Sequence, residues 1–290
     1  MLSLDGITIG KARIALLRKI LYNSRSNDLL FCIHMKDSVA EKLLEITRQG
    51  YVEVSSAFSA TRRFSWDDCT PLQWIVKDSM NVLDVGCGNG RMADFLKNRD
   101  IHYVGIDLNQ HFIQIALEKY GGSSEFYQGD IVALDDIPEL KGRTFDAIFS
   151  IAVLHHLPSE KMRTKVFALM FQLLKPGGML FLTNWNLWRP TLKGKSVWKY
   201  ALERSLLAPD SYGRTFGIDY HDLSWRDLLT TWKSGAISTP LYYYSFRCRE
   251  LARLCTLAGF DVVDCYYSKK GARAHWWNAS NICVIARKIK

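Results

Sequence analysis

The sequence predicts an α/β fold, a doubly wound and mostly parallel sheet with helices on both faces. Three observations carry this. Between residues 81 and 183 short apolar runs alternate with amphipathic stretches, the pattern of strands joined by crossover helices. The first run ends in a turn with three alternating glycines, Gly86, Gly88 and Gly90. Such a turn lets backbone approach a ligand closely at a helix start. The chain has 290 residues, 48% hydrophobic and 23% charged, enough to bury a core without disulfides.

The elements follow in order. Residues 1–34 stand apart from the rest. Ile14, Leu16, Leu17, Ile20 and Leu21 fit one face of a short helix with Arg13, Arg18 and Lys19 around it. An Arg-containing, acid-poor stretch suits an organellar presequence, but the reading favoured here is that translation begins at Met35. Residues 38–57 carry apolar residues at helical spacing from Val39 to Val54. Residues 58–66 lack a period and read as a loop, and a short helix follows over 71–76. Strands are expected at 81–85, 103–106, 125–128, 145–151 and 179–183, with helices at 92–97, 112–120 and 161–174. Lys175-Pro176-Gly177-Gly178 is expected to stop the last helix. Residues 187–240 break the alternation as a helical, aromatic insertion before the closing strands. A helix at 249–258 and strands at 261–267 and 282–286 close the domain.

Composition excludes several classes. No apolar run reaches the roughly 18 residues of a membrane-spanning helix. Seven cysteines, none in a CxxC pair, argue against a disulfide framework or a zinc knuckle, so no metal site and a cytoplasmic location are expected. The formal net charge is +9, and its excess lies in the last third. Residues 184–290 hold 17 basic and 8 acidic side chains, and seven of the nine tryptophans. Basic and aromatic residues interleaved in one segment suit a nucleic-acid partner, although a solvated basic surface over an aromatic core gives the same composition.

The chemistry begins at Asp84-Val85-Gly86-Cys87-Gly88-Asn89-Gly90. A second strand ends at Asp107, where a carboxylate can accept hydrogen bonds from both ribose hydroxyls of a nucleoside. Asp130 ends the third strand, placed to accept from an adenine amino group while Ile131 packs on the ring; an acid there also serves as a helix cap. The glycine spacing with Arg91 after Gly90 differs from the GxGxxG of nicotinamide enzymes.

Asp84, the glycines, Asp107, Asp130 and the Lys175–Gly178 turn together resemble the class I S-adenosylmethionine-dependent methyltransferases. The resemblance implies a Rossmann-like sheet of seven strands, the last antiparallel, with S-adenosylmethionine over the carboxyl ends of the first two. It assigns cofactor binding to Asp84, Gly86, Cys87, Gly88, Gly90, Asp107, Leu108, Asp130, Ile131 and Ile151.

Two further motifs narrow it. Ser150–Leu157, with its His155-His156 pair, and Phe58-Ser59-Ala60-Thr61-Arg62-Arg63 resemble the tRNA methyltransferases that esterify a carboxymethyl group on the wobble uridine, and their bacterial relatives. Residues 227–233 and 242–251 are similar to their substrate-side insertion and its return. The stretch 269–278, with Trp276 and Trp277, departs from those enzymes. The resemblance implies a tRNA partner, and in eukaryotes a small zinc-binding activator subunit. Arg63, His155 and His156 are the candidate catalytic residues; Arg62, Arg163, Trp185, Lys193, Lys195 and Lys199 are candidates for substrate. A carboxylate acceptor is ionised near neutral pH and needs a cation to align it, which Arg62 or Arg63 would supply. A neutral hydroxyl would instead call on one histidine as base, the other being structural. The competing reading is a small-molecule methyltransferase whose aromatic insertion covers a quinone-like or carboxylate metabolite.

Overall fold

The computed structural model describes residues 3–4, 7–8, 35–61, 67–190, 196–200, 216–234 and 237–290. By its contacts the chain divides into Met1–His34 and Met35–Lys290. In the first unit β1 (Ser3–Leu4) pairs antiparallel with β2 (Ile7–Thr8).

The second unit is built on an eight-stranded sheet. Its strands are β3 (Asn81–Val85), β4 (His102–Asp107), β5 (Glu125–Gln128), β6 (Phe145–Ile151), β7 (Leu174–Trp185), β10 (Asp261–Lys269), β11 (Ala272–Arg273) and β12 (Asn281–Arg287), in the order β11-β10-β12-β7-β6-β3-β4-β5. β5, β4, β3, β6 and β7 run parallel, and β12 enters antiparallel between β7 and β10. This is the expected sheet plus an eighth strand. The addition is β11, two residues that fold back on β10 through Lys270 and Gly271, both at positive φ.

Strands β3, β6 and β7 are apolar on both faces because both are covered. One face packs on α1 (Asp37–Thr61), α5 (Glu160–Leu173) and α6 (Cys248–Ala258), through Leu43, Val166, Phe167, Met170, Leu251 and Leu254. The other packs on α2 (Leu72–Ile75), α3 (Arg91–Phe95) and α4 (Gln110–Tyr120), through Leu72, Met92, Ile113 and Ala116. Asn109 caps α4 and Ser159 caps α5 by accepting backbone N–H bonds.

Three expectations change. Helix α1 continues to Thr61, through residues expected to open a loop. Lys175–Gly178 does end a helix, but it lies within β7: Leu174 already pairs with Phe145, and the register shifts before Met179 pairs with Ala147. Gly177, at φ +81°, donates to Lys288 O at 2.6 Å, so the excursion is gripped by the residue after β12. The insertion, expected to be helical, is helical at residues 197–200, but farther on it forms the hairpin of β8 (Asp227–Ser234) and β9 (Ile237–Tyr244). β9 is buried on both faces, since Tyr242 and Tyr243 both lie at 0% exposure. Helix α1 crosses this hairpin at Gly50, where a Cβ would stand 2.6 Å from Pro240 O.

Candidate active site

The carboxyl ends of β3, β4, β6 and β7 lie along one edge of the sheet, the edge at which α/β sheets bind ligands. Val85 pairs with Ile106 and Ile151 with Thr183. The loop after β3 is drawn over β4: Gly86 and Cys87 N–H groups donate to Ile106 O at 2.7 and 2.9 Å. Gly88 N–H donates to Asp107 Oδ2 at 2.9 Å, and Asn109 N–H donates to Asp107 Oδ1 at 2.9 Å. Each carboxylate oxygen of Asp107 therefore holds one backbone bond and keeps capacity for another. Burial raises the Asp107 carboxyl above its ordinary value, and the two N–H groups oppose that shift.

The three glycines do different jobs at φ +82°, +55° and +74°. A Cβ at Gly86 would stand 2.4 Å from a Val153 methyl, and one at Gly90 2.9 Å from Ala116 Cβ. Both are packing constraints. At Gly88 a Cβ meets no described atom within 4 Å. That open cradle beside the Asp107 carboxylate fits a nucleoside cofactor, with Asp107 toward ribose and Gly88 leaving room. Gly86→Ala is therefore expected to destabilise the fold, whereas Gly88→Ala costs only the left-handed backbone strain of about 1–2 kcal/mol and chiefly lowers cofactor affinity. Thermal melts with and without S-adenosylmethionine separate the two: cofactor raises the melting temperature of a Gly86→Ala protein but not of a Gly88→Ala protein.

Asp84 stands behind this loop at 1% exposure. Its Oδ2 accepts from Tyr103 Oη at 2.6 Å, while Oδ1 is buried without a hydrogen bond. Burial pushes the carboxyl up to about 7, with Tyr103 and Arg91 pulling the other way. A carboxyl raised in the fold binds more protons folded than unfolded between its ordinary ~3.9 and its raised value. Its contribution to stability therefore falls as pH rises through that window. The ionised form places a negative charge behind a loop that would hold a cationic sulfonium. S-adenosylmethionine affinity is expected to rise from about pH 6 to about pH 8 and to lose this dependence in Asp84→Asn; calorimetry across that range checks it.

Cys87 is buried, and its thiol is raised well above the ordinary value by burial. Its sulfur would lie 2.9 Å from a Cβ at Gly105, so it packs the loop onto β4. Leu108 and Ile131 are half-buried at this edge, and Ile151 lies in the core. Asp130 Oδ1 accepts from Val132 N–H at 3.0 Å as a helix cap. Its other oxygen pairs with Arg48 of α1.

Arg48 and Tyr51, one turn apart on α1, were not singled out from sequence, because an amphipathic helix does not announce which polar residue it points inward. Together they clasp three loops. Arg48 takes Asp130, Tyr51 O accepts from Asn109 Nδ2 at 2.9 Å, and Tyr51 Oη lies 2.8 Å from His156 Nε2.

The histidine pair divides its labour. His156 Nδ1 lies 2.8 Å from Tyr242 O. A carbonyl only accepts, so Nδ1 carries the proton and a neutral ring must accept from Tyr51 at Nε2. Both nitrogens of His156 are thus engaged. His155 is at 0% exposure, its ring centroid 5.0 Å from Trp185 and 5.6 Å from Tyr243 in stacked geometry. Trp185 and Tyr243 stack on each other at 5.3 Å. Ala152 opens this segment at φ +61°, a strained position for a residue with a Cβ.

Arg163, a candidate for substrate, is engaged within the protein. It is 5% exposed; Nη1 donates to Leu157 O and Pro158 O at 2.9 and 3.0 Å, and Cζ lies 3.7 Å from the Tyr244 ring centroid. Lys199 is half-buried with its ammonium 5.8 Å from the Tyr200 ring. Arg62, Arg63, Lys193 and Lys195 lie outside the described residues. Among the described residues no group of His, Cys, Asp and Glu could hold a metal, and no helix is long and apolar enough to cross a membrane.

Comparison with known proteins places this geometry. Residues 82–178 match the family described as a methyltransferase domain. The tRNA (carboxymethyluridine(34)-5-O)-methyltransferase of Mus musculus is 30% identical over 137 residues, 47% of this chain but only 19% of the mouse protein. A protein of Encephalitozoon cuniculi named as a methyltransferase is 31% identical over 216 residues, covering 74% of this chain and 86% of its own length. The crystal structure of a SAM-dependent methyltransferase from Methanosarcina mazei superposes with a TM-score of 0.55 at 20% identity, over 76% of this chain and 97% of that one. With the glycine loop, Asp107 and the antiparallel closing strand in place, the chain belongs to the class I S-adenosylmethionine-dependent methyltransferases.

Proposed function

We propose that this methyltransferase modifies tRNA at the wobble uridine, forming a methyl ester on a carboxymethyl group. The observation that carries the reading is His156, whose two ring nitrogens are both committed within the protein. A site arranged in this way suits an acceptor that arrives already ionised. A carboxylate does so near neutral pH. The likeness to the mouse tRNA enzyme supports the same acceptor.

Asp107 would hold the cofactor ribose, Gly88 would leave room beside it, and Asp130 with Ile131 would border the adenine. When bound, S-adenosylmethionine supplies an activated methyl group on a sulfonium. The protein's part is then alignment. Tyr51 and Tyr242 fix the His156 ring, and Trp185, His155 and Tyr243 stack into a rigid wall after β6 and β7. Arg62 and Arg63, directly after α1, are proposed to grip the carboxylate through parallel hydrogen bonds. The reaction is assigned to the cytoplasm with its tRNA.

Filter binding of bulk tRNA from low to moderate salt tests the partner. If the basic last third of the chain neutralises about four phosphates, the log–log slope is about −3, while S-adenosylmethionine affinity stays constant. A flat salt response, or no tRNA affinity, contradicts the reading.

A further inference from the structure

The loop 274–280 joins β11 to β12 and presents three aromatic rings to solvent. Trp276 and Trp277 are 41% and 48% exposed. The His275 and Trp277 rings are parallel, their centroids 4.3 Å apart at 2°, and Trp276 stands perpendicular to Trp277 at 88°. Aromatic side chains left in water usually lie on mobile or incidental surface, but the backbone beneath these is pinned. His275 N–H donates to Asn278 Oδ1 at 3.1 Å, and Asn278 and Ala279 N–H groups donate back to His275 O. Asn186 Nδ2 donates to Trp276 O at 2.6 Å and to Ala279 O at 3.1 Å. Asn186 directly follows Trp185, and Asn281 pairs with Trp185 in the sheet. The loop is therefore fixed at the same sheet edge as the candidate active site.

Charge and ring shape together point to the occupant. Lys269, Lys270 and Arg273 flank the loop, while Arg287, Lys288 and Lys290 lie at the far end of β12; the buried Asp68 carboxylate beneath the loop is taken up by Gly271 N–H and Asn281 Nδ2. Lys269 and Lys270 are exposed at the foot of the loop; Arg273 pairs with Asp264 and lies over the Tyr266 ring. Flat rings beside cations suit nucleobases beside phosphates. A membrane surface is the weaker match, because residues 269–280 contain no Leu, Ile, Val, Met or Phe to enter the acyl region.

We propose that His275, Trp276 and Trp277 form a stacking platform for unpaired bases of the RNA substrate, with Lys269 and Lys270 on its backbone. This rests on the tRNA reading and adds to it the contact that would recognise the loop rather than the stem.

The test uses the full chain and a fluorescein-labelled RNA hairpin with an unpaired loop, read by anisotropy, beside a fully paired duplex of the same stem. Trp276→Ala/Trp277→Ala is expected to weaken hairpin binding about ten- to a hundredfold, with duplex binding, salt slope and S-adenosylmethionine affinity unchanged. Trp277→Phe keeps a ring and is expected to retain affinity; Lys269→Gln/Lys270→Gln is expected to flatten the salt slope. Equal hairpin affinity in the double alanine variant overturns the platform, as does equal loss on hairpin and duplex. Double-variant loss of binding to phosphatidylserine vesicles, with hairpin binding intact, would make the loop a membrane contact and also overturn it. Methylation of bulk tRNA separates the two levels. If the wild-type protein methylates tRNA and the double variant does so with unchanged KM, only the platform falls. A wild-type protein that neither binds nor methylates RNA removes the tRNA reading as well.

Discussion

Replacing Asp107 by alanine is expected to abolish most S-adenosylmethionine binding. Two losses coincide. A carboxylate that would accept ribose hydroxyls is removed, and a hydrogen bond to a charged group is worth about 1.5–3 kcal/mol, or about ten- to over a hundredfold in affinity. The glycine loop also loses its anchor, because Gly88 and Asn109 N–H groups both donate to this side chain. Asp107→Asn separates the two effects. Its amide oxygen can keep one backbone bond, so the loop is better retained than in the alanine variant while the charge is gone. Calorimetry on both proteins, with melts to confirm folding, is the check. A folded Asp107→Ala protein with unchanged affinity removes the ribose assignment.

The largest expected effect on stability is at Arg163. This guanidinium holds Leu157 O and Pro158 O and lies on the Tyr244 face, and its charge opposes the rise of the buried Asp227 carboxyl. Asp227 accepts from Tyr242 Oη at 2.5 Å and from Ser224 Oγ at 2.7 Å, and burial raises its carboxyl above the ordinary value. Removing the cation leaves two carbonyls without their donor and ends a desolvated cation–π contact, a loss of about 3–5 kcal/mol. For a domain of this size the melting temperature should fall on the order of 10 °C. Lysine should not restore it, since a point charge cannot stack on a ring and reach both carbonyls. If Arg163→Ala melts like the wild type but raises the KM for RNA, Arg163 is a substrate contact after all.

Arg163 also shows where sequence reading stops. The residue sits seven positions after His156, which suggested a shared site. Two of its partners, Leu157 O and Pro158 O, are near in the chain, but they fix it within the protein beside the distant Tyr244 ring, which no local pattern reveals. The same holds for the clasp from Arg48 to Asp130 and from Tyr51 to His156. By contrast, the glycine loop and Asp107 are legible because backbone geometry selects the residue types: three positive-φ positions in one turn favour glycine, and the acid lies at the next strand end. The sheet core was legible through its apolar runs. The β8–β9 hairpin was not, because Leu228 and Leu229 in β8 and Tyr242 and Tyr243 in β9 are buried on both faces, which removes the alternation that marks a strand. The eighth strand, only two residues long, gives no periodic signal at all.

The methyl acceptor decides the function, and one measurement addresses it directly. Bulk tRNA is incubated with the protein and methyl-labelled S-adenosylmethionine, then digested to nucleosides, and a second aliquot is first treated with mild alkali. Label is expected in one modified uridine, lost to the alkali as methanol because an ester saponifies. Label that survives alkali on a base or ribose, or tRNA that takes no label while a small carboxylate or phenolic acceptor does, would contradict the proposed acceptor.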